Sequence, residues 1–288
     1  MAVEPAPVAD KTPPAAAGRK ELVTRIISSL ILAPIAIGAA YAGDWLFGAF
    51  WLIAAIGVWW EWNALVSGPG NRLLFVLGST SLALALVIAE IGRMTRTPML
   101  IVALGALGAG VFARDERRTW TAGGLLYAGV ILVAPVMLRR DPQLGMVAIF
   151  FLFAVVWATD VLGYFVGRAL GGPKLAPRIS PNKTWSGAIG GTLGAVLAGV
   201  AVARFAGLGN LFAVGLVAIA LSIAAQAGDL FESAVKRRFG AKDASQLIPG
   251  HGGFMDRLDG FAAAAAAAAV IGIAGEGLDA AAQGLLLW

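Results

Sequence analysis

The chain alternates long apolar runs with short polar segments. The runs cover residues 23–42, 45–65, 73–89, 99–112, 122–138, 145–166, 187–205, 211–230 and 258–273. A helix needs about 20 mostly apolar residues to cross the hydrocarbon of a bilayer, with roughly 17–25 tolerated. None of the runs shows the short alternating segments of a membrane barrel, and open backbone is not tolerated in lipid, so each is expected to be helical. The pattern predicts an all-α polytopic membrane protein with about nine transmembrane helices. The run from Met99 is short, the last is alanine-rich over 262–269, and residues 278–288 are apolar enough to blur its end.

Residues 1–20 are rich in alanine and proline and lack an apolar period, which predicts a disordered tail. The tail is too polar for a signal peptide, so the run that follows is expected to stay as a span. The chain is then expected to divide into N-terminal membrane helices over 21–140 and a C-terminal transmembrane region over 141–288 that holds the candidate site.

Composition agrees with the pattern. Of 288 residues, 59% are hydrophobic and 14% charged, and the mean hydropathy is +0.80. Soluble domains are about half apolar and roughly a quarter charged. The absence of cysteine excludes disulfides, thiolate metal sites and iron–sulfur clusters, and a single histidine argues against a multi-histidine metal centre. The net charge of +5 does not point to nucleic acid, because the basic residues sit in short loops. With the N-terminus in the cytoplasm, 17 of the 22 lysines and arginines fall on the inside and 5 outside, as the positive-inside bias requires. That orientation puts two polar segments, 157–187 and 233–259, on the cytoplasmic side.

The second segment reads SAVKRRFGAKDASQLIPGHGGFMDRLD. Asp229, Ser233, Lys236 and Arg237 share one helix face by spacing, and Asp256 and Asp259 share another if a helix starts near Phe254. Two acidic helix edges suit a hard divalent cation, and Lys236, Arg237 and Lys242 suit phosphate oxygens. The plain alternative is a set of interfacial charges that snorkel, which fits Arg238 and Arg257 better than Asp229 at the end of an apolar run. His251 is read as positioning a phosphate or ordering its turn, and Gly250, Gly252 and Gly253 allow close backbone approach or simply make the turn. In the other segment, Asp160 stands with Tyr164 and Arg168 on one face, a ligand set or a self-satisfied ladder. Ser180, Pro181, Asn182, Lys183 and Thr184 precede a helix, where an anion or an N-cap belongs. Glu61, after Trp59 and Trp60, reads equally as an interfacial charge or a packing partner.

The stretch 233–259 resembles the signature of the phosphatidate cytidylyltransferase (CDP-diacylglycerol synthase) family. The resemblance is carried by Ser233, Lys236-Arg237, Lys242-Asp243, Pro249-Gly250-His251-Gly252-Gly253 and Asp256-Arg257-Leu258-Asp259. Residues 157–160, Tyr164, Gly167-Arg168 and 180–187 look similar too, although Asn182 and Ser186 stand where the common form has Lys and Glu, and neither is given a catalytic role. Residues 1–140 match only in hydropathy. The resemblance implies transfer of CMP from CTP to phosphatidic acid, giving CDP-diacylglycerol and pyrophosphate, in a bacterial cytoplasmic membrane. It also implies a magnesium requirement with a second, monovalent cation, and a homodimer. On it, Asp229, Lys236, Asp256, Arg237 and Lys242 are catalytic, with Asp229 and Asp256 holding the metal. Ser180, Lys183, Thr184, Asp160, Ser233, Asp243, His251, Gly252, Gly253, Arg257 and Asp259 are then the substrate-binding residues. A CTP-dependent lipid kinase would share this chemistry at the γ-phosphate. A transporter would instead place charges at the bilayer midplane in repeated halves, and a scaffold would not need this acid–base spacing.

Overall fold

The computed structural model describes residues 31–68, 71–92, 96–245 and 252–288. The expected tail at 1–20, the start of the run 23–42, and Pro249, Gly250 and His251 lie outside them. The described chain is a bundle of helices: α1 (Ile31–Ala42), α2 (Asp44–Ser67), α3 (Arg72–Ile91), α4 (Thr97–Phe112), α5 (Arg118–Arg139), α6 (Gly145–Leu170), α7 (Trp185–Phe205), α8 (Leu211–Arg238), α9 (Met255–Glu276) and α10 (Ala281–Leu286). Each expected run falls on a helix wherever its residues are described. Among the described residues seven helices are long and apolar enough to cross a membrane, while α1 and α4 are apolar but shorter.

The structure adds three local details. Residues 180–184 do precede a helix, with Thr184 as its N-cap, and they do so as a strand: β1 (Lys174–Ala176) and β2 (Ser180–Thr184) pair antiparallel, Lys174 opposite Thr184 and Ala176 opposite Ser180. Pairing satisfies backbone groups that would otherwise be bare beside the membrane. Helix α8 runs past the apolar stretch to Arg238, so Asp229, Ser233, Lys236 and Arg237 share one helix, and α9 starts at Met255, next to the Phe254 expected. The apolar tail 278–288 makes no span; α10 folds back on α9, and Asp141 accepts hydrogen bonds from its Gln283 backbone N (3.0 Å) and amide.

Helices in lipid gain little from apolar burial against one another, so close packing of small residues holds them. Helices α6 and α7 meet backbone to backbone: a Cβ on Gly187 would lie 2.6 Å from the carbonyl of Gly163, and one on Gly191 would lie 2.6 Å from that of Thr159. Helices α8 and α9 cross at Gly228, where a Cβ would lie 2.5 Å from the carbonyl of Asp259 and 2.6 Å from the Ala263 side chain. The alanine run of α9 keeps this approach close along its length. Helix α5 is the central pillar, packed by α2, α3, α4, α6, α9 and α10, with 72% of its apolar span buried.

The bundle has two chemically different ends. At one, Arg140 pairs with Glu90 (3.1 Å) and Arg139 donates to the carbonyl of Ala40 (2.6 Å). At the other, the ends of α2, α6 and α8 meet the starts of α5, α7 and α9. There Trp62 Nε1 donates to the carbonyl of Trp120 (2.8 Å), Arg238 lies over the Trp120 ring, and Arg117 lies over Phe239, each 5.0 Å from the ring centre. The described residues of both polar segments singled out above lie at this second end.

Candidate functional site

At that end a cavity of about 740 Å³ opens between α6, the β1–β2 hairpin, α7, α8 and the start of α9. The glycine contact between α6 and α7 forms one wall, with Gly163, Gly167 and Gly187 among the lining residues. Four carboxylates line it, Asp160, Asp229, Asp256 and Asp259, and so do four cations, Arg168, Lys174, Lys183 and Arg257. Clustered charges at a membrane edge are expensive unless they serve a ligand.

Each wall has a local cause. Thr184 caps α7, its hydroxyl accepting from Gly187 N (3.2 Å), and Ser186 donates to the carbonyl of Gly171. These bonds tie the base of the hairpin to α6 and α7. Lys183, next to that cap, forms an ion pair with Asp229 of α8, so the hairpin and α8 are joined across the cavity. Ser233, one turn on, donates weakly to Asp229 (3.5 Å). Asp160 is within electrostatic reach of Asp229, Lys183 and Arg257, and Asp259 of Asp229, Glu232 and Asp160. The Arg168 guanidinium donates to the Tyr164 hydroxyl (2.8 Å) on the same helix face. That ladder leaves Asp160 facing the cavity rather than its own helix.

Asp256 is differently placed. It accepts from Lys236 Nζ (2.5 Å), Gly253 N (2.8 Å) and Ala244 N (3.1 Å), which pins the chain on either side of the 246–251 segment. Lys236 also pairs with Glu232 (2.7 Å), which is 1% exposed.

The residues read from the sequence therefore divide. Asp160, Lys183, Thr184, Asp229, Asp256, Arg257 and Asp259 line the cavity. Ser180, Ser233, Lys236, Arg237, Lys242, Asp243, Gly252 and Gly253 do not: Arg237 donates to the carbonyl of Ala241 (3.3 Å) at the exposed end of α8, Lys242 and Asp243 are exposed, and Lys236 stands behind the wall. His251 lies outside the described residues. Gly252 takes a left-handed backbone (φ 78°), with Asp256 close by.

Sequence reasoning missed three features. Lys174 reaches the cavity because the hairpin turns it there. A hydroxyl–amide network closes its deep end: Thr159 donates to Ser222 (2.9 Å), Ser222 meets Thr192 (3.1 Å), and Gln226 donates to Thr192 (3.0 Å). Polar residues inside apolar runs were the available signal. Glu61 of α2, 0% exposed, accepts from Ser245 Oγ (2.6 Å), Phe254 N (2.9 Å) and Met255 N (2.7 Å).

The donor set is all oxygen. Among the described residues no three acidic or histidine side chains form a ready metal cage. Magnesium, however, keeps waters and takes one or two carboxylates together with substrate phosphates, and carboxylates converging on one cavity fit that habit.

Residues 23–273 match the cytidylyltransferase family. A phosphatidate cytidylyltransferase of Brucella abortus is 43% identical over 247 residues, 85% of this chain and 91% of that protein. One from Haemophilus influenzae is 41% identical over 142 residues, 48% of this chain and 49% of that protein. One from Staphylococcus epidermidis is 47% identical over 118 residues, 41% of this chain and 45% of that protein.

Proposed function

The chain belongs to the cytidylyltransferase family, and from that membership we infer that it transfers CMP from CTP to phosphatidic acid, giving CDP-diacylglycerol and pyrophosphate. The relatives that carry this activity in their names support the reading. The observation that carries it in the fold is the cavity at the membrane edge, where Asp160, Asp229, Asp256 and Asp259 face Arg168, Lys174, Lys183 and Arg257. A lipid phosphate reaches such a place from the bilayer and a nucleotide from water.

In this reading an oxygen of the lipid phosphate attacks the α-phosphorus of CTP and pyrophosphate departs. No general base is required, because a phosphate monoester is already ionised near neutral pH, its second pKa being about 6. Arg168, Lys174, Lys183 and Arg257 bind and orient the phosphates and neutralise the charge gathering on the leaving group. Asp229 and Asp256 would hold magnesium, which when bound supplies charge neutralisation at the phosphoryl oxygens. Asp160 and Asp259 add negative potential that keeps the cations in place between turnovers. Lys236, outside the cavity lining, acts through Asp256. The site end is assigned to the cytoplasm on the distribution of lysine and arginine, in the inner membrane of a bacterium.

The test is an assay of the purified chain with labelled CTP. Label at the α-phosphate enters lipid when phosphatidic acid is supplied, label at the γ-phosphate appears in pyrophosphate, and diacylglycerol does not replace phosphatidic acid. Lipid labelled from the γ-position would make the chain a kinase instead.

A further inference from the structure

We propose that Glu61, a residue of α2, is a positioning residue for this reaction: it holds the first turn of α9 and through it Asp256, Arg257 and Asp259. The inference rests on the transferase reading of the cavity.

A helix start leaves backbone N–H groups without intrahelical partners. Helix α9 has no side-chain cap of its own, Phe254 standing at its N-cap. The cap comes from a helix almost two hundred residues earlier in the chain: the two Glu61 oxygens accept from Phe254 N and Met255 N. The same carboxylate takes the Ser245 hydroxyl, gripping the other side of the segment that joins α8 to α9. Glu61 is fully buried, so water does not satisfy it. Its charge is met by these three donors and by the positive end of the α9 dipole.

Gly253 shows how tightly the parts fit. A Cβ there would lie 2.5 Å from both Glu61 oxygens, so the glycine before α9 is needed for the approach of this carboxylate. Asp256 grips the same turn from the opposite side, through Gly253 N and Ala244 N. Three cavity side chains follow within six residues of Gly253. An error of about 1 Å in groups aligned for reaction lowers rate by roughly a hundredfold, so a turn held from two sides sets the alignment of the site. Neither interfacial snorkelling nor simple packing accounts for an inward, buried carboxylate bonded to two consecutive amides.

Glu61→Gln keeps the shape but turns an N–H donor toward one of those amides. Glu61→Asp keeps both oxygens on a shorter arm, and Gly253→Ala pushes on the contact from the other partner. The full-length variants are compared with the unaltered protein for activity per folded molecule and for amide exchange over residues 252–260. The expected result for Glu61→Gln is a kcat at least about tenfold lower, KM for CTP within about threefold, and faster exchange confined to that turn. Glu61→Asp falls between, and Gly253→Ala moves in the same direction. A Glu61→Gln kcat within twofold of the unaltered protein, or losses that only follow a smaller folded fraction, overturns the proposal. Unchanged exchange in all three variants overturns it too, and that arm decides even if the unaltered protein fails to use CTP and phosphatidic acid, a failure that would sink the transferase reading separately.

Discussion

Lys236 holds its ammonium 2.5 Å from a carboxylate oxygen of Asp256, behind the cavity wall rather than in it. The same nitrogen lies 2.7 Å from Glu232, and the lysine side chain is 12% exposed. The lysine therefore compensates two acids that have little water of their own. Removing one partner of a buried pair leaves the other uncompensated, a loss of about 3–5 kcal/mol. Lys236→Met is expected to lower the unfolding temperature in detergent as well as activity, and Lys236→Met with Glu232→Gln to recover part of the stability. A stable Lys236→Met variant whose only defect is a raised KM for CTP would instead return this lysine to the phosphate clamp that its spacing predicts.

Asp229→Asn and Asp256→Asn should both cut turnover severely, but with different effects on the fold. Asp229 is about one-third exposed, so its variant should fold and lose roughly two to three orders of magnitude in kcat. Asp256 also carries backbone bonds to Gly253 and Ala244, so its variant should in addition melt earlier. Activity and unfolding measured side by side separate the two. A fully active Asp229→Asn protein at saturating magnesium would overturn the proposal that Asp229 is a metal ligand.

Lys183 and Lys242 give a direct comparison of cavity and surface. Lys183 lines the cavity and pairs with Asp229, whereas Lys242 is exposed on the loop. Replacing Lys183 with Gln should lower kcat/KM for CTP by about 10²–10³, and the same change at Lys242 by less. The reverse order would mean that the loop folds over the nucleotide during turnover.

Gly187→Ala tests the α6–α7 contact. The added methyl would lie 2.6 Å from the Gly163 carbonyl and 3.2 Å from the Gly167 Cα, which are backbone atoms and cannot swing aside. Overpacking of this kind costs about 1–3 kcal/mol. The expected outcome is a lower unfolding temperature together with weakened activity, since the same contact is a wall of the cavity. Unaltered stability would show that the two helices separate freely there.

A cysteine at Ala241 reports the side of the membrane. The chain has no cysteine of its own, so labelling of this variant is unambiguous. It should react with an impermeant maleimide only after the cells are opened. Reaction in intact cells would put the charged end outside and turn the whole topology over.

Helix existence was legible in the sequence because apolar run length is set by bilayer thickness and needs no knowledge of neighbours. Ends were less so: α8 runs on to Arg238 because its polar last turns are held by Glu232, Lys236 and Asp256 rather than by lipid. Spacing on single helices picked out Asp229, Asp256 and Asp259, each of which lines the cavity. Lys236, which spacing put on the same face, does not line the cavity and pairs with Glu232 and Asp256. Lys174 was hidden because its place depends on the hairpin between α6 and α7. Glu61 was hidden because its partners are backbone amides far along the chain, and a backbone amide leaves no trace in residue identity.

The central position of α5 bears on how the protein is made. Most of its apolar span is covered by protein in the finished bundle, and one of the helices that covers it, α9, ends only at Glu276. Translation proceeds at roughly 5–20 residues per second, so α5 waits on the order of ten seconds after its own synthesis before that neighbour is complete. During that interval lipid or the insertion machinery must stand in for α9 against a helix whose permanent surroundings are other helices.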